Sequence, residues 1–237
     1  MTTSVNRDMI LLTDVVKHLQ SLLTKKEETT IFSKFLNLDL EKQERILNAA
    51  MKEFAQKGFE NASTNEIVKE AGISKGLLFH YFKNKKSLFL FLYDYCMDIC
   101  MNEFYKKINM DETDIFIKLC QCKHIKLELL MKYPEIFVFI EVAYRKTQKE
   151  IKSDLQLINE GILVSGYAKI FGNVDTSKFK ECLDIEKCIN IIIWTIDGFG
   201  AQFMKKDKLL TSNKEDYEKA FAEADVYMDV LKNCFYK

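Results

Sequence analysis

Proline is almost absent from this chain. Pro134 is the only one in 237 residues, and glycine occurs just eight times. These two residues are what stop helices and shape tight turns, so a chain poor in both is expected to be helical nearly throughout. Three of the glycines, Gly58, Gly72 and Gly76, crowd into one short stretch, which marks it as a place where helices end and turn. Apolar residues make up 48% of the chain, enough for a sizeable core, and the length suits two compact units or one larger one. The fold class expected is all-α.

The stretch around those glycines, Thr64 to Lys86, reads TNEIVKEAGISKGLLFHYFKNKK. Ser63 is placed to cap a helix, with Glu66 three residues on to complete a capping box. Ile67, Val68 and Ala71 give that helix an apolar side, and Gly72 ends it where the chain must turn with positive φ. Ile73 plugs the corner. Ser74 caps a second helix, Lys75 to Phe82, whose inward face is Leu78 and Phe82. Lys75, Gly76, Phe79, His80 and Tyr81 are left for the surface. Two short helices joined by a glycine turn, the second with a polar face, suit insertion into the major groove of DNA. Net charge over the whole chain is zero. From Lys69 to Lys86, however, five lysines (69, 75, 83, 85 and 86) stand against one acid, Glu70, a local net charge of +4. Phosphate contacts come from such local clusters, so the charge balance of this face matters more than that of the chain.

The same residues carry a resemblance. From about Lys42 to Leu92 the chain is similar to the DNA-binding signature of the TetR family of bacterial transcriptional regulators. The match includes Phe54 with Gly58-Phe59, then Thr64, Ala71-Gly72-Ile73-Ser74, and His80-Tyr81-Phe82 with Lys85. It implies a helix-turn-helix domain that contacts DNA through Ser74, Lys75, Gly76, His80 and Tyr81, with Thr64, Lys85 and Lys86 on phosphates. Leu77 stands where the family often has Thr or Ser, and Phe79 where it has Tyr. Two hydroxyls that relatives can aim at DNA are therefore missing.

The rest divides into helical segments. Residues 1–38 form an N-terminal extension in which Asp8 to Lys26 reads as an amphipathic helix. Lys25 to Thr30 reads as a polar link, and Ile31 to Leu38 as a lead into the next domain. Residues 39–86 are expected to make the DNA-binding domain, starting with a helix capped by Asp39 and lined inside by Ile46, Leu47, Ala50, Met51 and Phe54. Residues 87–237 are expected to form a larger helical domain, reached through one continuous helix that Asn84 caps and that runs to about Ile108. Further helices are expected over 112–132, 134–146 with Pro134 at the first position, 149–171, 184–206 and 213–236. The family resemblance implies that the last two pair with their symmetry mates in a homodimer.

It also implies an effector pocket among the middle helices. The apolar and aromatic supply is ample, and the candidates that line a pocket with a few polar anchors are His124, Phe137, Glu141, Tyr144, Arg145, Tyr167, Trp194 and Asp197. Cys96 and Cys100 share a helix face, and Cys120 and Cys122 are two apart, which allows a thiol or metal sensor. There is no CxxC and no histidine at zinc spacing, so buried inert thiols are the plainer expectation. Gly198-Phe199-Gly200 lacks the third glycine and the preceding strand of a dinucleotide site. No Ser-His-Asp set, paired-carboxylate motif or phosphate loop is visible, so neither an enzyme nor a cofactor is expected. No apolar run reaches the 18 or so residues of a membrane span, and no leader pattern opens the chain, which points to the cytoplasm. The function expected is a ligand-responsive repressor acting as a homodimer on a near-palindromic operator. An adaptor that recruits a protein through helix 8–26 is the alternative, beside the thiol or metal sensor.

Overall fold

The computed structural model describes residues 29–145, 149–205 and 214–237, and these form α-helices joined by short turns. The amphipathic segment expected over 8–26 lies outside the described residues. Among those described, the nearest approach to a sheet is an isolated antiparallel bridge between Phe179 and Tyr236. No helix among them is long and apolar enough to cross a membrane.

The helices are α1 (Thr29–Leu36), α2 (Leu40–Asn61), α3 (Thr64–Ala71), α4 (Lys75–Phe82), α5 (Lys85–Lys107), α6 (Ile115–Lys132), α7 (Pro134–Arg145), α8 (Lys149–Phe171), α9 (Ile185–Lys205) and α10 (Lys214–Phe235), with a 3-10 turn at Thr176–Lys178. Asp39 caps α2 by accepting from Lys42 N at 2.9 Å. Pro134 opens α7, where its missing N–H costs nothing. The chain forms two compact units. The first takes the described residues up to Glu103 together with Tyr133–Ile162, and the second takes Phe104–Lys132 together with Leu163–Lys237.

In the first unit, Ile46, Leu47, Ala50 and Phe54 of α2 are buried, as the stripe predicts, and α2 packs on α7 and α3. Phe54, Phe89 and Phe139 meet edge to face, with ring centroids 5.0 and 5.6 Å apart. Tyr93 of α5 donates to Asn159 Oδ1 of α8 at 2.9 Å. One element differs from the reading of the sequence. Thr29 to Leu36 is a helix, not a link and a lead-in. It is fixed because Phe35 is fully buried against Phe82 and Phe91, at 4.7 and 5.4 Å. Gln43, itself buried, donates to the carbonyls of Leu36 and Leu38 at 3.1 and 2.7 Å and so closes the end of α1.

The second unit has its own apolar core, centred on Ile115, Phe116, Phe179, Ile192 and Tyr236. Buried charge pins its edges. Asp114 caps α6 by accepting from Phe116 N at 2.9 Å, pairs with Lys178 at 3.0 Å and accepts from the Tyr236 hydroxyl at 3.3 Å. Lys118, fully buried, donates to the carbonyl of Ile170 at the end of α8 and to Asn173.

Candidate nucleic-acid interface

The interface is built from α3, α4 and the turns that hold them. Gly58 interrupts α2 at φ 71, ψ 175. Ser63 then caps α3, its hydroxyl accepting from Glu66 N at 3.4 Å. The capping box closes differently from the expectation. The backbone N–H of Ser63 goes to Glu53 Oε1 of α2, at 2.8 Å, so a distant acid holds the entry to α3. Burial alone would push the Glu53 carboxyl up, but Lys57 at 2.9 Å and the Ser63 N–H outweigh that and hold it below the ordinary value.

At the other end of α3, Gly72 adopts φ 65, ψ 37. Its N–H reaches Lys69 O at 3.3 Å, and the N–H of Ile73 reaches Val68 O at 3.0 Å. This pair of bonds is a Schellman motif, and it turns the chain straight into α4. Ser74 caps α4 through Leu77 N at 3.2 Å. Leu78 and Phe82 face inward and are buried.

Ser74, Lys75, Gly76 and His80 are exposed along one side of α4, flanked by exposed Lys69 and Lys83. Thr64, at the start of α3, is half-buried. Lys52 pairs with Glu70 at 2.7 Å, which offsets the one acid of the basic stretch. A free basic and polar face on the second helix of a helix-turn-helix is what a major groove accepts.

Three of the residues expected to touch DNA are engaged with other parts of the protein, Lys86 at the surface. Tyr81, expected on the surface, is 5% exposed. The cause is α1: Phe35 packs edge-on against the Tyr81 ring at 6.2 Å, so α4 has two covered sides instead of one. Lys85 Nζ donates to the carbonyls of Glu60 and Ala62, and Lys86 pairs with Asp154 at 2.6 Å. The expected contacts that stand exposed together are Ser74, Lys75, Gly76 and His80, with the Ser74 hydroxyl also accepting from Leu77 N. Phe35, Gln43 and Glu53 went unnoticed in the sequence. The Phe32-x-x-Phe35 spacing, one turn of helix, was the available signal for α1.

The expected pocket residues fall into two groups. Phe137, Glu141, Tyr144 and Arg145 lie on α7 in the first unit, where Arg145 Nε meets the buried Glu141 at 3.2 Å and Tyr144 is exposed. His124, Tyr167, Trp194 and Asp197 lie in the second. There Tyr167 donates to Asp197, His124 Nδ1 sits 2.8 Å from the carbonyl of Cys120, and Trp194 is 67% exposed. A cleft in the first unit lies between α2 and α5, lined by Leu47, Met51, Leu92, Tyr95 and Ile99 and closed by Ile136. Its volume is about 20 Å³, room for one water-sized group. None of the eight expected residues lines it. Of the paired thiols, Cys96, Cys100 and Cys122 are poorly disposed to react. Burial pushes Cys96 well above its ordinary value, and Cys100 and Cys122 up to about 12 and about 11. Among the described residues no cluster of three or more His, Cys, Asp or Glu could hold a metal.

The fold and this face define a helix-turn-helix DNA-binding regulator. Residues 46–92 match the model of the bacterial regulatory proteins of the tetR family. Over 170 residues the chain is 26% identical to the fatty acid metabolism regulator protein of Bacillus subtilis, covering 69% of this chain and 84% of that protein. A TetR family transcriptional regulator from Chloroflexus aurantiacus shares the fold with a TM-score of 0.55 at 19% identity, over 86% of this chain and 98% of that one. The fatty acid degradation regulator FadR of Bacillus halodurans does so with a TM-score of 0.54 at 20% identity, over 81% and 94%. Residues 46–92 are thus similar to the DNA-binding domain of the tetR family.

Proposed function

We propose that this protein is a ligand-responsive repressor that binds a near-palindromic operator as a homodimer. The observation that carries the DNA half of the reading is the free face of α4. Ser74, Lys75, Gly76 and His80 stand exposed together, with Lys69 and Lys83 on either side to meet phosphates. Lys75 has the length and the charge to reach a guanine edge, and Gly76 has no side chain to keep the backbone from the groove. Two such helices, related by a two-fold axis, would enter successive major grooves about 34–36 Å apart. The dimer would form through α9 and α10, where Ile191, Trp194, Val226, Tyr227 and Val230 are exposed.

The effector half rests on the relatives. Two proteins similar to this chain carry names that place them in fatty acid metabolism and degradation. A fatty acid or a fatty acyl compound is the effector class we infer. Such a ligand would act by binding one conformer of the regulator better than the other, and only to the extent of that difference.

The test is a fluorescence anisotropy titration against DNA from immediately upstream of the protein's own gene, in rising salt and with competitor DNA. Tight, competitor-resistant binding at two proteins per site is expected, with release on adding a fatty acid or a fatty acyl compound. Binding that vanishes with modest salt and shows no preference for that DNA would sink the operator reading. Binding that none of these acyl compounds weakens would sink the effector class alone.

A further inference from the structure

We propose that Lys85 is a positioning residue for DNA reading and not a phosphate contact: its ammonium group holds the corner from which α3 starts. The proposal rests on the DNA-binding reading above.

Lys85 is the first residue of α5, yet its side chain reaches back to the end of α2. Nζ lies 3.1 Å from the carbonyl oxygen of Glu60 and 3.1 Å from that of Ala62. It also stands over the ring of Phe59, 4.7 Å from the centroid. Phe59 is held in turn against Phe89 of α5 at 5.2 Å, edge to face. The side chain is half-buried, unlike that of Lys75 or Lys83.

The location explains the need. Gly58 breaks the regular path of α2, and the next few residues must turn the chain into α3. Carbonyls at such a helix end want donors from outside the helix. An ammonium has three N–H donors, and here two are spent on this corner. Bonds of this charge-assisted kind are about twice as strong as neutral ones. The face of an aromatic ring adds a further attraction that grows as water is excluded. To grip a phosphate with its whole charge, Lys85 would have to give these up.

The corner has a second clamp. Glu53 takes the N–H of Ser63, one residue beyond Ala62. Glu53 therefore draws the start of α3 toward α2, while Lys85 draws Glu60 and Ala62, just before it, toward α5. Thr64 begins α3, and α3 packs against α4. The direction of the reading face is set from this corner, with no contact between Lys85 and DNA.

The two roles differ in what salt does. A lysine on a phosphate releases a counterion, so its loss lowers the slope of log K against log salt by about 0.9 and weakens binding to any duplex alike. A positioning lysine leaves the slope and the affinity for random DNA in place. Its loss lowers only the preference for the operator.

The experiment measures wild type, Lys85→Met, Phe59→Leu and, as a phosphate-contact reference, Lys83→Met. Each is titrated with operator and with random duplex over a range of salt. Amide hydrogen exchange is followed at Ala62 to Glu66 in the full chain. Lys85→Met is expected to keep its slope, to lose about tenfold or more in operator over random DNA, and to exchange faster at those amides. Phe59→Leu keeps the lysine and its charge, and is expected to move the preference and the exchange in the same direction. It also decides the matter should Lys85→Met not fold. Lys83→Met is expected to lower the slope. A Lys85→Met protein whose slope falls by about 0.9, with equal loss on both DNAs and unchanged exchange, overturns the proposal. If wild type itself does not discriminate between the DNAs, the operator reading fails, while slope and exchange still decide the role of Lys85.

Discussion

Gly72 has a left-handed backbone, φ 65, that residues with a Cβ seldom adopt and alanine adopts only with strain. A Cβ added there would meet nothing within 4 Å, so space is not the constraint. Gly72→Ala is therefore expected to cost about 1–2 kcal/mol through the backbone alone. Urea unfolding measures this, and a midpoint unchanged within error would show that the turn relaxes freely. This residue, Ser63, Ser74 and Asp39 were legible in the sequence because each acts within three residues of itself. Tyr81 was not. On a helix of eight residues two sides can be covered, and only the partner decides which. That partner is Phe35, more than forty positions earlier in the chain. Lys85 and Glu53 were opaque for the same reason, since their bonds span 23 to 25 and 10 residues.

Most helices were legible as elements, because apolar periodicity and the lone proline leave few choices. The element that was missed, α1, is short, and its stability comes from burial of Phe35 and from the bonds of Gln43, not from its own propensity. Asp114 shows how polar groups order the elements of the second unit. It joins the start of α6 to the 3-10 turn through Lys178 and to the chain's last turn through Tyr236. Burial would push its carboxyl up, but the Lys178 ammonium and the N–H groups of Ile117 and Phe116 outweigh this and hold it below the usual carboxylate value. A carboxyl depressed in the folded state stabilises fully above its unfolded pKa, and that stability is lost as pH falls through the folded one. Asp114→Asn keeps the shape but not the ion pair, and is expected to cost about 1–3 kcal/mol at pH 7. Below about pH 4, where an unperturbed aspartate protonates, the gap between the two proteins should close. Unfolding both from pH 7 to pH 3 checks this, and a gap that does not change with pH would show that Asp114 titrates as it does in the unfolded chain.

At the scale of the whole molecule the open question is what covers the last two helices. On α9, Ile191 and Trp194 are 42% and 67% exposed, one helical turn apart. On α10, Val226, Tyr227 and Val230 are 62%, 43% and 56% exposed. A tryptophan and two valines in water on neighbouring helices make a patch that soluble chains seldom leave bare. A second copy of the chain would present the same patch in return, since a two-fold interface is self-complementary. Each substitution in it then acts twice. If Trp194→Asp removes an anchor worth about 2 kcal/mol per protomer, the dimer loses about 4 kcal/mol and its dissociation constant rises roughly a thousandfold. Sedimentation at micromolar concentration should show wild type as a dimer and the Trp194→Asp, Val230→Asp double variant as a monomer. The variant changes nothing on α4, so each monomer should keep its contact with one half-site and lose the second. Its salt slope on operator DNA should fall to about half that of wild type, because half the phosphates are then engaged. A variant that sediments as a dimer would move the interface away from these helices. A monomeric variant with an undiminished slope would mean that one protomer reads the whole site.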